Sequence, residues 1–319
     1  MNLGIRKIIE VMDEAVFPSN IYCICCGALI DGSRPYALCD ECIRKFHWNT
    51  GRTCGKCGKA LPDTYRGSLC YDCMQHNHYF TKGYSCLTYG LHERDVLMDF
   101  KYNGKGYIGR KFGDILYDRI SCENLKIDVI IPVPISKGRM RKRGYTQSAV
   151  MARRLAQRMG VAYDERSLVR VRNTKMLRTL DPAERELALE GAFAVAGEFV
   201  AAGGSSTTVA SDSVAEVAGC GSGSANYGSS STNHGSSSIN HGSSSAAAGN
   251  RPADFGNKSE GTRKVSAKLH GKRVLLIDDI MTTGATADAC SKVLLEAGAD
   301  SVLFLSLASG GNWKPERKA

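Results

Sequence analysis

The chain has 319 residues, 43% of them hydrophobic, and a formal net charge of +10. That length allows one or two ordinary domains, and the basic balance suits an anionic partner such as a nucleotide, a phosphate or nucleic acid, although solubility alone explains a modest excess equally well. No apolar run approaches the roughly 20 residues a membrane span needs, so membrane insertion is not expected.

The first 20 residues, MNLGIRKIIEVMDEAVFPSN, set Glu10, Asp13 and Glu14 among apolar positions. That spacing predicts an amphipathic helix without the apolar stretch of a signal peptide, and a cytoplasmic protein is expected. Residues 21–78 hold most of the cysteines, and they fall into pairs. Cys23-x-x-Cys26 is followed after twelve residues by Cys39-x-x-Cys42, and Cys54-x-x-Cys57, again after twelve, by Cys70-x-x-Cys73. The equal spacing marks an internal duplication. A CxxC turn presents two thiolates on one side of a tight loop, and two such turns complete a Cys₄ site, so structural zinc is expected, as one ion or two. Disulfides are disfavoured in a reducing cytosol, and four pairs in register argue against thioredoxin-like chemistry. Two sequential sites are simplest, yet a cross-braced arrangement would use the same residues. Cys25 offers a substitute for a neighbour, whereas His47, His76 and His78 lie outside the repeat and are expected at the surface. Gly27 and Gly58 follow the leading pairs, where a left-handed residue closes the turn. So small a unit has little core, and the metal supplies its fold.

From Tyr79 onward strands and helices alternate. Strands are expected at 83–90, 128–135, 167–172, 192–197, 272–280 and 300–309. Helices are expected at 92–102, about 109–120, 148–160 and 285–299, with another starting at Pro182 behind an Asp181 cap. Strand–helix–strand at this spacing builds a parallel sheet whose ligands sit at the carboxyl ends of the strands. The sheet domain is interrupted: residues 79–200 form its first part, 265–311 its second, and 312–319 a tail. Between the parts, 201–264 is rich in Ser and Gly, with a seven-residue repeat in YGSSSTN, HGSSSIN and HGSSSAA at 227–247. This composition buries too little apolar surface to offset its ordering entropy, so a disordered insertion is expected, its His234 and His241 simply solvated.

The stretch VLLIDDIMTTGAT, residues 274–286, carries the clearest chemistry. An apolar strand delivers Asp278 and Asp279 to its tip and turns through Thr282, Thr283, Gly284, Ala285 and Thr286 into a helix. The outward N–H groups of that turn, the helix dipole and the threonine hydroxyls suit a phosphate. Two adjacent carboxylates suit the vicinal hydroxyls of a ribose, with or without a divalent metal. A ribose bearing a 5′-phosphate satisfies both halves.

This stretch resembles the phosphoribosyl pyrophosphate (PRPP) signature of type I phosphoribosyltransferases. The duplicated CxxC units ahead of it, and PVPISKGRMRKRGYTQ at 132–147, narrow the resemblance to the ComF family, which is associated with DNA uptake in bacterial natural competence and is amidophosphoribosyltransferase-like. The resemblance covers nearly the whole chain except the Ser/Gly insertion and the first 20 or so residues. It implies an α/β fold, a Rossmann-like parallel sheet preceded by a small Cys-rich double zinc ribbon. It also implies that Asp278 and Asp279 serve catalysis and bind PRPP with Mg²⁺, together with the 282–286 loop.

In the middle motif, Lys137, Arg139, Arg141, Lys142 and Arg143 crowd five cations into seven residues behind a strand end. In a phosphoribosyltransferase the loop at this position receives pyrophosphate, whose oxygens guanidinium groups bind in pairs; a solvated basic loop or a nucleic-acid patch is the alternative. The family pattern Arg-Gly-Phe-Asn-Gln stands here as Arg143-Gly144-Tyr145-Thr146-Gln147. The segment 173–178 resembles the loop that closes over PRPP, with Lys175 and Arg185 as candidate anion contacts and Leu177 where many relatives carry Gln. In 6-oxopurine salvage enzymes an aspartate that contacts the base stands where this chain has Thr282, which argues against hypoxanthine or guanine as acceptor. Two function classes follow. One is a PRPP-dependent pentosyl transferase linked to competence. The other is a non-catalytic adaptor that binds single-stranded DNA or a DNA-translocating helicase through the ribbons and the basic loop.

Overall fold

A computed structural model describes residues 21–102, 105–174, 182–196, 198–200, 207–208, 265–266 and 268–310. The expected N-terminal helix, Lys175, Leu177, Asp181, the Ser/Gly repeat and the tail lie outside the described residues.

Two short helices, α1 (Asp40–Lys45) and α2 (Tyr71–Gln75), belong to the cysteine-rich region. The sheet domain follows with β1 (Lys82–Tyr89), α3 (Leu91–Tyr102), α4 (Ile108–Ile120), β2 (Val129–Pro132), α5 (Lys137–Arg143), α6 (Gln147–Met159) and β3 (Ala162–Tyr163). Next come β4 (Leu168–Arg170), α7 (Pro182–Leu189), β5 (Phe193–Val195), β6 (Glu198–Val200), β7 (Thr207–Thr208) and β8 (Val265–Ser266). The described chain closes with β9 (Arg273–Met281), α8 (Ala285–Glu296) and β10 (Ser301–Gly310).

Five strands form one sheet in the order β1-β10-β9-β2-β3, every neighbouring pair parallel. This is the Rossmann-like arrangement expected from the strand–helix alternation. Two predicted strands do not join it: β4 and β5 pair antiparallel with each other. Strand β6 pairs antiparallel with both β7 and β8. Thr207–Thr208 therefore forms strand within the segment expected to be disordered, and β6 meets β8 across that segment.

Side chains alternate across the sheet because successive Cβ atoms point to opposite faces. Leu275 and Ile277 of β9, with Leu305 and Leu307 of β10, share one core with Phe112 and Leu116 of α4 and Met151 and Leu155 of α6. Val274 and Leu276, with Val302 and Phe304, share the other core with Cys290 and Leu294 of α8. Both faces are covered, as an all-parallel sheet requires.

The cysteine-rich region straddles the β1 edge. Ile24 and Phe46 of its first half enter the first core, and Leu61 of its second half enters the other. The edge groups of β1 find partners there: Asn49 N–H donates to Cys86 O (2.9 Å), Thr88 N–H to His47 O (2.8 Å) and Gly83 N–H to Lys56 O (2.7 Å). An edge strand left bare would invite pairing with another chain. The approach is close: a Cβ on Gly83 would lie 2.7 Å from Cys57 O, and one on Gly58 2.5 Å from Gly83 O.

Candidate functional site

The two halves of the cysteine repeat fold alike. Cys23 N–H donates to Ala28 O (2.8 Å) and Cys54 N–H to Lys59 O (2.7 Å); Gly27 N–H returns to Cys23 O and Gly58 N–H to Cys54 O, both at 2.9 Å. Gly27 and Gly58 take φ of 74° and 75°, the left-handed turn the spacing called for. Backbone N–H groups also reach the sulfurs, Cys39 to Cys23 (3.4 Å) and Cys70 to Cys54 (3.2 Å). Such donors stabilise thiolate over thiol.

Cys23, Cys26, Cys39 and Cys42 gather in one cluster, and Cys54, Cys57, Cys70 and Cys73 in another. The arrangement is sequential, not cross-braced. Zn–S bonds of 2.3 Å at tetrahedral angles set sulfurs about 3.8 Å apart. Cys26 and Cys39 are separated by 3.7 Å, Cys57 and Cys70 by 3.5 Å. The donor sets therefore fit structural zinc. His47 and His76 are exposed as expected. His78 is not: it is buried, stacks on Phe80 with ring centroids 4.6 Å apart and pairs through Nδ1 with Asp288 Oδ2 at 2.6 Å.

The acidic pair lies near the end of β9, at the carboxyl edge of the sheet. Asp279 N–H donates to Asp278 Oδ1 (2.8 Å), and the Asp279 carboxylate pairs with Lys101 Nζ of α3 (2.8 Å). Asp278 is half-buried. Burial, then the Asp279 charge, push its carboxyl up to about 8, against the pull of the Asp279 N–H, Lys101 and Arg170. Beyond the pair, Gly284 turns with φ of 90° into α8. Thr282, Thr283, Gly284, Ala285 and Thr286 line a cavity of about 30 Å³ that Asp278 and Arg185 also border. Arg185 Nη1 lies 3.5 Å from Thr282 Oγ1. Thr283 Oγ1 is buried without a hydrogen-bond partner among the described residues. A Cβ on Gly284 would meet His78 Cε1 at 2.8 Å, so the buried histidine braces this turn from the cysteine-rich side.

The basic run, expected as a loop, is the helix α5. Ser136 caps it by accepting from Arg139 N–H (3.4 Å), and Gly144 ends it in the left-handed conformation. Its cations divide between two surroundings. Arg143 donates to Tyr102 Oη (3.2 Å) and to Gln147 Oε1 (2.8 Å), and Arg139 acts on Tyr102 and Arg170 through its charge. Lys137 and Arg141 instead line a cavity of about 640 Å³, which Tyr145, Arg153 and Arg166 also border.

Lys101 and Arg170 are the site residues that sequence reasoning missed. Arg170, at the end of β4, hydrogen-bonds Thr174, lies over the Phe193 ring (5.2 Å) and senses the Asp278 charge. Neither residue sits in a motif; only the fold carries them to the acidic pair.

A parallel α/β sheet with an acidic strand tip, docked to paired Cys₄ units, defines a zinc-ribbon α/β protein. Residues 12–74 match the double zinc ribbon domain family. The chain is 26% identical over 185 residues to Competence protein F of Haemophilus influenzae, covering 56% of this chain and 77% of that protein. The chain thus carries a double zinc ribbon and is similar, over just over half its length, to a competence protein. A crystal structure of a Thermus thermophilus protein aligns over 66% of this chain and 85% of its own, with 14% identity and a TM-score of 0.27. Among the described residues no helix is long and apolar enough to cross a membrane.

Proposed function

We propose that the carboxyl edge of the sheet binds PRPP with Mg²⁺, and that the chain serves DNA uptake as its competence relative's name suggests. Asp278 and Asp279 take the ribose diol. The 282–286 loop and the first turn of α8, whose N–H groups lack intrahelical partners, take the 5′-phosphate. Arg139 and Arg143, with Arg170 beside them, face the pyrophosphate.

The observation that carries this reading is Thr283 Oγ1, a buried hydroxyl without a partner among the described residues, in a loop of N–H donors. An unpaired buried hydroxyl costs about 1–3 kcal/mol, which a phosphate oxygen would recover. Asp278, once ionised, and Asp279 would hold Mg²⁺, which would supply charge neutralisation for a departing pyrophosphate. The chain's own residues then position the ribose and shield the developing charge at its C1.

The test is a thermal melt with magnesium PRPP. At a ligand concentration about a hundred times Kd the stabilisation is about 2.7 kcal/mol. No shift at millimolar ligand would remove the reading.

A second reading, single-stranded nucleic-acid binding by the basic helix, is favoured by the large cavity, where Lys137, Arg141, Arg153 and Arg166 surround Tyr145. Such a mix of cations and an aromatic ring suits phosphates and stacked bases. Binding of oligonucleotide that survives Asp279→Asn, in protein that gives no PRPP shift, would favour it.

A further inference from the structure

The first Cys₄ cluster has two further donors beside it. Cys25 is half-buried, and its sulfur lies 3.3 Å from Nε2 of His92, at the start of α3. The donor atoms of Cys25, Cys42 and His92 all lie within 4.8 Å of one another. Cys42 also belongs to the first ribbon's own four. For Zn–S of 2.3 Å and Zn–N of 2.0–2.1 Å at a tetrahedral angle, a sulfur and a nitrogen sharing one ion stand about 3.6 Å apart. The observed separation is close to that, as are the sulfur separations in the two ribbons.

We propose that Cys25, Cys42 and His92 hold an additional zinc ion, with the Cys42 thiolate bridging it to the ion of the first ribbon. Binding displaces the Cys25 thiol proton to solvent and takes His92 as the neutral imidazole. Each ribbon keeps its four thiolates, and the added ion has three protein donors. Its fourth position is left to water or to a donor from another molecule, as in zinc centres that are more than structural. His92 comes from the same helix as Lys101, the partner of Asp279. The ion therefore ties the first ribbon to the helix that steadies the acidic pair, joining residues 67 apart in sequence.

The test is the zinc content of the full chain, purified under reducing conditions, loaded with excess zinc and desalted. Three zinc ions per chain are expected, falling to two in Cys25→Ser and in His92→Ala. Wild-type protein that retains only two overturns the proposal, including the case in which a single ion trades Cys26 for Cys25. So does either variant that retains three. A variant that fails to fold leaves the wild-type count decisive, and a second measurement stands on wild type alone. Alkylation of Cys25 followed by mass spectrometry should slow at least tenfold between protein holding two zinc ions and protein holding three; an unchanged rate overturns the proposal.

Discussion

Asp278 is held in surroundings that favour its neutral form, with burial as the first cause and the neighbouring Asp279 charge as the second. Its folded pKa of about 8 stands above the unfolded value of 3.8. The folded protein thus binds more protons than the unfolded one between those values. The stability this contributes is complete below the unfolded pKa and is lost as pH rises through about 8. Asp278→Asn should accordingly stabilise the ligand-free protein by about 1 kcal/mol or more at pH 8 in denaturant melts, with a smaller gain at pH 5. The same variant should lose most of the magnesium PRPP shift, since ribose hydroxyls bond better to a charged acceptor. PRPP affinity of the wild type should rise several-fold from pH 6 to pH 8 in calorimetry, as Asp278 gives up its proton. The acidic pair and the 282–286 loop were legible in the sequence because strand, acids and loop are contiguous. Lys101, Arg170 and His78 were not: His78 meets Asp288 from 210 residues away, and nothing local distinguishes it from the exposed His76.

At the scale of the element, α5 shows what charge density conceals. The resemblance put a loop where five cations crowd into seven residues. The flanking Ser136 and Gly144 were the helix start and stop signals, and they prevailed. Helical geometry then separates side chains that the sequence groups. Arg139→Ala with Arg143→Ala should weaken the PRPP-induced thermal shift severalfold in apparent Kd, whereas Lys137→Ala with Arg141→Ala, in the larger cavity, should change it little. Equal losses from both pairs would show that the helix does not divide its cations in this way. The close approach of the second ribbon to β1 is equally local. Gly83→Ala should cost about 1–3 kcal/mol in a thermal or denaturant melt, because the added methyl meets Cys57 O in a packed interface, while zinc content stays unchanged. The main helices and sheet strands were readable from their apolar periodicity. The separate β4–β5 pair was not, since three-residue strands carry no directional signal.

The whole molecule depends on both ends of the sequence. The ribbons cover the outer edge of β1, so stripping zinc with a chelator should lower Tm by about 10 °C or more and promote association, as the edge groups lose their partners. A melt left unchanged by metal removal would show that the ribbons are not needed there. Removal of residues 211–261 should be tolerated, because β6 and β8 already meet across that segment and closure cost changes by only about 0.6 kcal/mol per doubling of loop length. The sheet runs in the order β1-β10-β9-β2-β3. The two strands at its centre are the last described strands to leave the ribosome. Until they emerge, nothing links β1 to β2, and the apolar faces of α4 and α6 lack the two strands at the middle of the sheet. During synthesis the nascent chain must wait with those surfaces open to chaperones or to aggregation. The cysteine-rich region alone can close early, by capturing zinc. A premature stop ahead of Arg273 would therefore release folded ribbons on an unfolded body, a product for proteases rather than a smaller working protein.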